Sequence, residues 1–352
     1  MTTLPPASYL IRHLSTVVGA SLDNNHGDNF DHQRFGPAER SIADSAQAFE
    51  QVLSSLPALS TTYGLLADPA SRQLFVELLA FRLLGHRKVK LPLGRSRYKE
   101  VMIQAEQLLD RTRSIDTGFQ DGTLYFTDLT PIGVPLRLYG SAGVIISDFV
   151  IKQYEYTTGR GKLIGAKPDD IVIDAGGCWG NTALAFAQRV GSGGHVYSFE
   201  FASPSLRVFR ANLELNPHLM DRIDIVEHPV WVRSGDQLFF EHHGPGTKVK
   251  AGASSPTSGI CLSMSIDDLI RERSISRVSL IKMDVEGSEL AAIEGAADTI
   301  RRFRPQLAIS LYHKFTDLTD IPAALHELVP AYEFYLGHYS MHLEETVLYA
   351  TT

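Results

Sequence analysis

Cysteine is nearly missing from this chain: Cys178 and Cys261 are the two it has, and they lie far apart. Two such residues make no disulfide framework, so the thiols read as reduced, as in a cytosolic enzyme. No window approaches the ~20 apolar residues of a membrane span. The stretch Met1 to Leu14 is neither apolar enough for a signal peptide nor Arg-rich enough for a transit peptide. A cytoplasmic location is therefore expected. Excess positive charge is lacking too. The net charge of −7 argues against a nucleic-acid partner, because phosphate binding needs clustered cations. The one basic stretch, His86 to Lys99, reads as a solvated loop or helix end, with a patch for an anionic substrate as the alternative. Internal repeats and long low-complexity tracts are also absent.

What remains is ordinary globular composition, 44% hydrophobic and 21% charged. A chain of 352 residues can bury a large core without disulfides or metals. Its length suits two domains, or one large α/β domain with an extension. The division falls near residue 120. Residues 1–120 read as a mainly helical region of unassigned role, and residues 121–352 as an α/β domain. Residues 1–35 are polar, with Asp23 to Asn29 as a loop. Helical apolar spacing follows over Pro37–Leu56, Ser71–Leu84 and Tyr98–Arg113. Leu124-Tyr125-Phe126 and Leu136-Arg137-Leu138-Tyr139 flank Pro131 and Gly133 as a β-hairpin. A helix over Ser147–Tyr156 leads to Pro168.

From Ile171 onward strands and helices alternate, the pattern of a doubly wound, mostly parallel sheet. Ile171–Asp174, His195–Glu200, Ile223–Val226, Val278–Asp284 and Leu307–Tyr312 are its strands. Between them lie helices over Thr182–Val190, Ser203–Leu215 (with Ser203 as N-cap) and Ser288–Phe303. Asp236–Pro256 reads as an irregular hairpin. Tyr332–His338 and Thr346–Ala350 form a closing hairpin.

The first of these strands ends in Asp174, and Gly176 and Gly180 precede the next helix, which makes a nucleotide-cofactor turn. Glycines there let the backbone approach a ligand and take conformations closed to other residues. A dinucleotide loop requires G-x-G-x-x-G. Its second glycine would fall at Cys178, and bulky Trp179 crowds the place of a pyrophosphate. The spacing Asp-x-Gly-x-x-x-Gly suits instead a cofactor without phosphate. Glu200 closes the second strand about 20 residues further on, where a carboxylate can accept ribose hydroxyls. The bland reading is a structural glycine turn and a chance acid.

These segments resemble the FkbM family of methyltransferases from about Thr123 to the C-terminus. The likeness rests on Asp174 to Thr182, Ser265 to Leu269, Ile281 to Glu289 and Ser310 to Lys314. Asn181 departs from it, since an acidic residue is expected there. The resemblance implies a Rossmann-like class I methyltransferase sheet, mostly parallel with its last strand antiparallel. It implies S-adenosylmethionine as cofactor, bound through Asp174, Gly176, Gly180 and Glu200. It implies O-methylation of a sugar hydroxyl on a glycan, glycolipid or glycosylated natural product, in polysaccharide biosynthesis.

Ligands of open α/β sheets lie beyond the carboxyl ends of the strands. That places Asp284, Glu286 and His313 in one cleft as candidates for the chemistry. Asp284 can serve as base, metal ligand or helix N-cap, and Glu286 can share a role or stay structural. Lys282, two residues before Asp284, can pair with it. The imidazole of His313 suits proton transfer at neutral pH. Asp284 and His313 could also hold a divalent cation such as magnesium, though magnesium prefers oxygen ligands. The His242-His243 pair reads as loop. Two rival readings remain, a nicotinamide-dependent oxidoreductase and a non-catalytic methyltransferase-fold scaffold in a biosynthetic complex. The partner is a small-molecule or glycan acceptor, and a homo-oligomer stays open.

Overall fold

The structure is a computed structural model that describes residues 7–27, 29–32, 42–119, 122–241, 243–252 and 259–352. At its centre is a seven-stranded sheet in the order β14-β15-β13-β12-β6-β7-β8. Its strands are β6 (Ile171–Ala175), β7 (His195–Phe199), β8 (Ile223–Val226), β12 (Leu280–Met283), β13 (Gln306–Ser310), β14 (Glu333–His338) and β15 (Thr346–Thr351). The neighbours from β13 through β12, β6 and β7 to β8 are all parallel. The last strand, β15, runs antiparallel to both β13 and β14. That is the class I methyltransferase sheet expected above.

Strand residues alternate between two apolar layers, as a sheet covered on both faces requires. Ile173, Ala175, Ile281, Met283 and Leu307 face one layer. Val172, Val196, Leu280 and Ala308 face the other. The first layer also contains Leu10, Leu59, Phe75 and Leu78. Helices α1 (Ala7–Ser21), α3 (Leu56–Leu65) and α4 (Pro69–Leu84) thus share one core with the sheet; α2 (Ile42–Ser54) adds Val52. They also cover the sheet edge that β14 would otherwise leave open. Ala67 N–H donates to Phe334 O (2.7 Å), and Leu336 N–H donates to Ser71 Oγ (2.9 Å). Among the described residues, no helix is long and apolar enough to cross a membrane.

Several local expectations change. Residues 7–21 are helical, although the first segment reads as polar. The helix expected over Tyr98–Arg113 is α5 (Arg95–Gln107) followed by strand β1 (Leu109–Asp116). There β2 (Thr123–Asp128) offers a partner ladder, and Arg113 lies 3.5 Å over the Phe126 ring, so cross-strand pairing overrides helical spacing. The expected β-hairpin is present as β2 with β3 (Arg137–Gly140). The helix over Ser147–Tyr156 instead starts at Ala142, becomes π-helical over Ile145–Ile151, and stops at Lys152, which is left-handed with φ 59°. A short pair, β4 (Tyr156–Thr157) and β5 (Leu163–Ile164), leads to β6. Helix α6 (Asn181–Val190) follows β6, and α7 (Ser203–Glu214) follows β7. Ser203 is not the cap of α7; Ala202 stands at that position, with no side-chain bond. The irregular hairpin is a three-stranded antiparallel sheet of β9 (Gln237–Glu241), β10 (Lys248–Ala251) and β11 (Gly259–Leu262). Part of the stretch up to Pro256 lies outside the described residues, as do Pro37, Asp28 and His242. Helix α8 (Ile266–Glu272) precedes β12. The single helix over Ser288–Phe303 is broken into α9 (Glu289–Glu294) and α10 (Ala297–Phe303). At the break a side chain on Gly295 would meet Trp231 O at 2.1 Å. Helix α11 (Asp317–Leu328) completes the layer against α3.

Candidate active site

The carboxyl ends of β6, β7, β12 and β13 open into two adjoining cavities. The larger has a volume of about 850 Å³, and Asp148, Asn181, Asp284 and His313 are in its wall. The smaller, about 70 Å³, is walled by Phe199, Glu200, Phe201 and Val230. Gly176, Cys178, Asp284 and Glu286 belong to both walls, so a ligand can pass across them from one cavity to the other.

The glycine loop is built by its own packing. Gly176 (φ 90°) and Gly180 (φ 81°) are left-handed. A Cβ on Gly176 would meet Asp284 O at 2.0 Å, and one on Gly180 would meet the Phe209 ring at 2.3 Å. The glycines thus seat the loop on β12 and α7, whereas the sequence argument assigned the close approach to a ligand. Cys178 is left-handed as well, with φ 46°. Trp179 is buried against Leu124 and Val208, and its carbonyl accepts from Asn212 Nδ2 (2.9 Å).

Asp174 does not face either cavity. It is fully buried, and it takes hydrogen bonds from Ser198 Oγ (2.7 Å) and Thr182 Oγ1 (2.9 Å). Register sets Asp174 between Ser198 on β7 and Lys282 on β12. Lys282 Nζ stands 3.2 Å from Asp174 Oδ1 and donates to Gly176 O (2.6 Å). The lysine therefore pairs with Asp174, where sequence spacing suggested Asp284. Burial disfavours its charge, but Asp174 and then Asp284 outweigh that and raise its pKa.

Glu200 lies where the second strand ends, in the wall of the smaller cavity. Its Oε1 accepts from Phe201 N (2.6 Å) and Ala202 N (2.7 Å), tying down the entry to α7. Burial pushes its carboxyl up to about 7 against those hydrogen bonds.

Asp284 follows β12 directly and reaches the cavities. Tyr154 Oη donates to Asp284 Oδ2 (2.8 Å), and Tyr312 Oη donates to Oδ1 at 3.2 Å. Burial, and then the Asp284 charge, hold both phenols well above their ordinary pKa, so they remain donors. His313 Nε2 stands 3.4 Å from Asp284 Oδ1 and 3.4 Å from Glu286 Oε2, while Nδ1 stands 2.9 Å from Glu289 Oε1. Burial works against a charged ring, but Glu286, Glu289 and Asp284 outweigh it and push His313 up to about 11. In that setting the ring is an imidazolium at neutral pH rather than a group poised near 7. Glu286 is left-handed (φ 54°) and turns its carboxylate back toward the ring. Asp284, Glu286 and His313 offer three donor atoms within 4.8 Å of one another, and Glu289, His313 and Asp317 form a second such group.

Sequence reasoning missed Tyr154, Asp148 and Glu289 here. Asp148 comes from the π-helical stretch that follows β3 and Tyr154 from the turn after it, both far in sequence from the glycine loop. Tyr312 was visible as a strand-end residue, though without a role.

Residues 164–332 match the family model described as Methyltransferase FkbM domain. Among solved structures, a methyltransferase FkbM from Methylobacillus flagellatus KT superposes with a TM-score of 0.52 at 20% identity. That match covers 86% of this chain and 60% of the other, so the chain spans less than two thirds of that relative. A fibrillarin from Aeropyrum pernix, solved with natively bound S-adenosyl-L-methionine, gives 0.35 at 12% identity over 66% of this chain and 90% of that one. No curated protein matches the chain in sequence.

Proposed function

Through residues 164–332 this chain belongs to the FkbM methyltransferases, and on that premise we propose that it moves a methyl group from S-adenosylmethionine to a sugar hydroxyl of a glycan, glycolipid or glycosylated natural product. The observation that carries this reading is the position of Asp284: it stands where the small cavity beside Glu200 meets the large one, held by two phenols. The residues present fit such a cofactor. Glu200 beside Phe201 suits a ribose and a flat base, and buried Asn181 Oδ1 has no hydrogen-bond partner and waits for a donor. S-adenosylmethionine, when bound, supplies a methyl group on a positively charged sulfur.

This chain's residues have two tasks, aligning the acceptor oxygen and taking its proton. Asp284 is the proton acceptor. Tyr154 and Tyr312 aim its carboxylate, and the His313 imidazolium keeps the carboxylates of Glu286 and Glu289 from repelling it. Residues 1–120 contribute Asp31 and Tyr98 to the wall of the large cavity, which supports a role for that region in holding the acceptor. Asp284, Glu286 and His313 favour a second reading, since Glu289 on Nδ1 leaves Nε2 directed at the two other donors. A divalent ion held there, such as magnesium, would have to displace the Nε2 proton of His313, and would then orient and acidify the hydroxyl.

Calorimetry and a methyl-transfer assay over a panel of monosaccharides and glycolipids test the proposal together. S-adenosylhomocysteine is expected to bind and NAD and NADP are not; tight dinucleotide binding without S-adenosylhomocysteine binding would overturn it. Activity that survives EDTA removes the metal reading and leaves acid–base catalysis by Asp284.

A further inference from the structure

Asp174, the acid that opens the glycine loop, is committed to Lys282, Ser198 and Thr182 and has nothing left for a ligand. A second carboxylate meets the loop from outside the matched segment. Asp148, in the π-helical stretch Ile145–Ile151, accepts a hydrogen bond from Asn181 Nδ2 and lies in the wall of the large cavity. Asn181 is only 8% exposed, yet its Oδ1 has no hydrogen-bond partner. A buried amide oxygen left unpaired is costly, so a donor entering the cavity gains by meeting it. The two oxygens, one anionic and one neutral, stand at the start of α6. They lie across Gly176 and Cys178 from the Glu200 cavity.

We propose that Asp148 and Asn181 Oδ1 form the receptor for the α-ammonium group at the amino-acid end of S-adenosylmethionine. The inference rests on the cofactor reading above and adds a subsite to it. A ligand whose nucleoside sits beside Glu200 and which crosses the loop brings its other end to α6. An ammonium offers three N–H donors, enough for the carboxylate and the amide oxygen together. The accompanying carboxylate meets the first turn of α6, whose N–H groups lack partners within the helix. This also accounts for Asn181 itself. The family resemblance places an acid at that position; here the acid comes from Asp148, and the asparagine clasps it.

The groups around Asp148 bear on how its charge responds. Asp174, Lys282 and Glu345 face it from the sheet side and β15's approach, Tyr98 from α5, and Lys152 and the Arg189–Glu155 pair from the other flank. Burial raises its carboxyl to about 7, with Asn181 and Lys282 pulling the other way. A cation arriving beside it therefore releases a proton near neutral pH.

The test compares S-adenosylhomocysteine with 5′-methylthioadenosine, the same nucleoside thioether without the amino-acid end, by calorimetry on the full chain. Asp148→Asn is expected to weaken S-adenosylhomocysteine about 10- to 100-fold and to leave methylthioadenosine within about twofold. The transposed variant, Asp148→Asn with Asn181→Asp, is expected to recover most of that loss. At pH 7 the wild type releases more protons on binding the amino-acid-bearing ligand than on binding methylthioadenosine, and Asp148→Asn removes the difference. Equal weakening of both ligands, or of neither, overturns the proposal. If the wild type binds neither ligand, the cofactor reading itself falls, and this subsite falls with it.

Discussion

Asp174 and Asp284 stand at the ends of neighbouring parallel strands, and both read as functional in the sequence, yet the fold gives them opposite surroundings. Asp174 is the fourth residue of β6 and still lies inside the ladder, in register with Ser198 and Lys282. Its neighbours use up its carboxylate, and no solvent reaches it. Asp284 is one residue beyond Met283, the end of β12, and its N–H still bonds to Ala175 O (3.0 Å). From there the chain turns away, and the side chain points into the cavities. A strand's last paired acid can be a structural ion. The first acid past the ladder is the one free to meet a ligand. Asp174 is in register with Lys282, so Asp284 lies two positions further along and on the same side; what separates the acids is distance along the strand, not the face they occupy.

The strongest test of this contrast is Asp284→Asn. Turnover is expected to fall by roughly 10²–10⁴, the contribution of a positioned proton acceptor, while S-adenosylhomocysteine affinity stays close to wild type. If Asp284 and His313 act as a unit, adding His313→Ala costs little more. Wild-type turnover in Asp284→Asn would remove the residue from the chemistry. The matching change in the other acid, Asp174→Asn, should act on the fold instead. It leaves the buried Lys282 ammonium without its counter-ion, and loss of one partner of a buried pair costs about 3–5 kcal/mol. Urea unfolding of the two variants side by side measures it. An Asp174→Asn protein as stable as wild type but unable to bind cofactor would collapse the distinction between the two acids.

The order of strands and the closing antiparallel strand were legible because β-branched and apolar runs alternate with amphipathic helices from Ile171 onward. The cavity-lining position of candidate residues was legible where they follow a strand end, as at Glu200, Asp284 and His313. It was not legible where a tertiary partner decides. Nothing in the spacing of Lys282 distinguishes Asp284, two residues along, from Asp174 on the next strand; only the β6–β12 register does so. Ser265 to Leu269, one of the blocks shared with the family, is part of the scaffold. Ser265 Oγ caps α8 by accepting from Asp268 N (3.1 Å), and Asp267 accepts from Thr299 N (2.8 Å) at the start of α10. Similarity in sequence marks such joints as strongly as it marks catalysis. Asp148 and Tyr154 were invisible for the converse reason: they reach the cleft from a π-helical stretch and the turn after it, which no periodicity announces.

Glu200 lies between the two extremes, tied to its own backbone through one oxygen and set in a cavity wall, and it permits the finest test. Its unfolded carboxyl titrates near 4.5, and burial raises the folded one to about 7. An acid whose folded pKa is raised favours the folded state while both forms are neutral, below about 4.5. That advantage is lost as pH rises through 7, because the protein must then hold a desolvated charge. Glu200→Gln keeps an oxygen for the N–H groups of Phe201 and Ala202 but never ionises. The ligand-free variant should therefore be more stable than wild type at pH 8, by on the order of 1 kcal/mol, less than the full linkage value because the group is only partly buried. At pH 4 the two proteins should melt together. With nucleoside present the order should reverse, since a carboxylate accepts two ribose hydroxyls where the amide accepts less well. A variant that is no more stable at pH 8, or one that binds nucleoside as tightly as wild type, would place Glu200 with Asp174 among the structural acids.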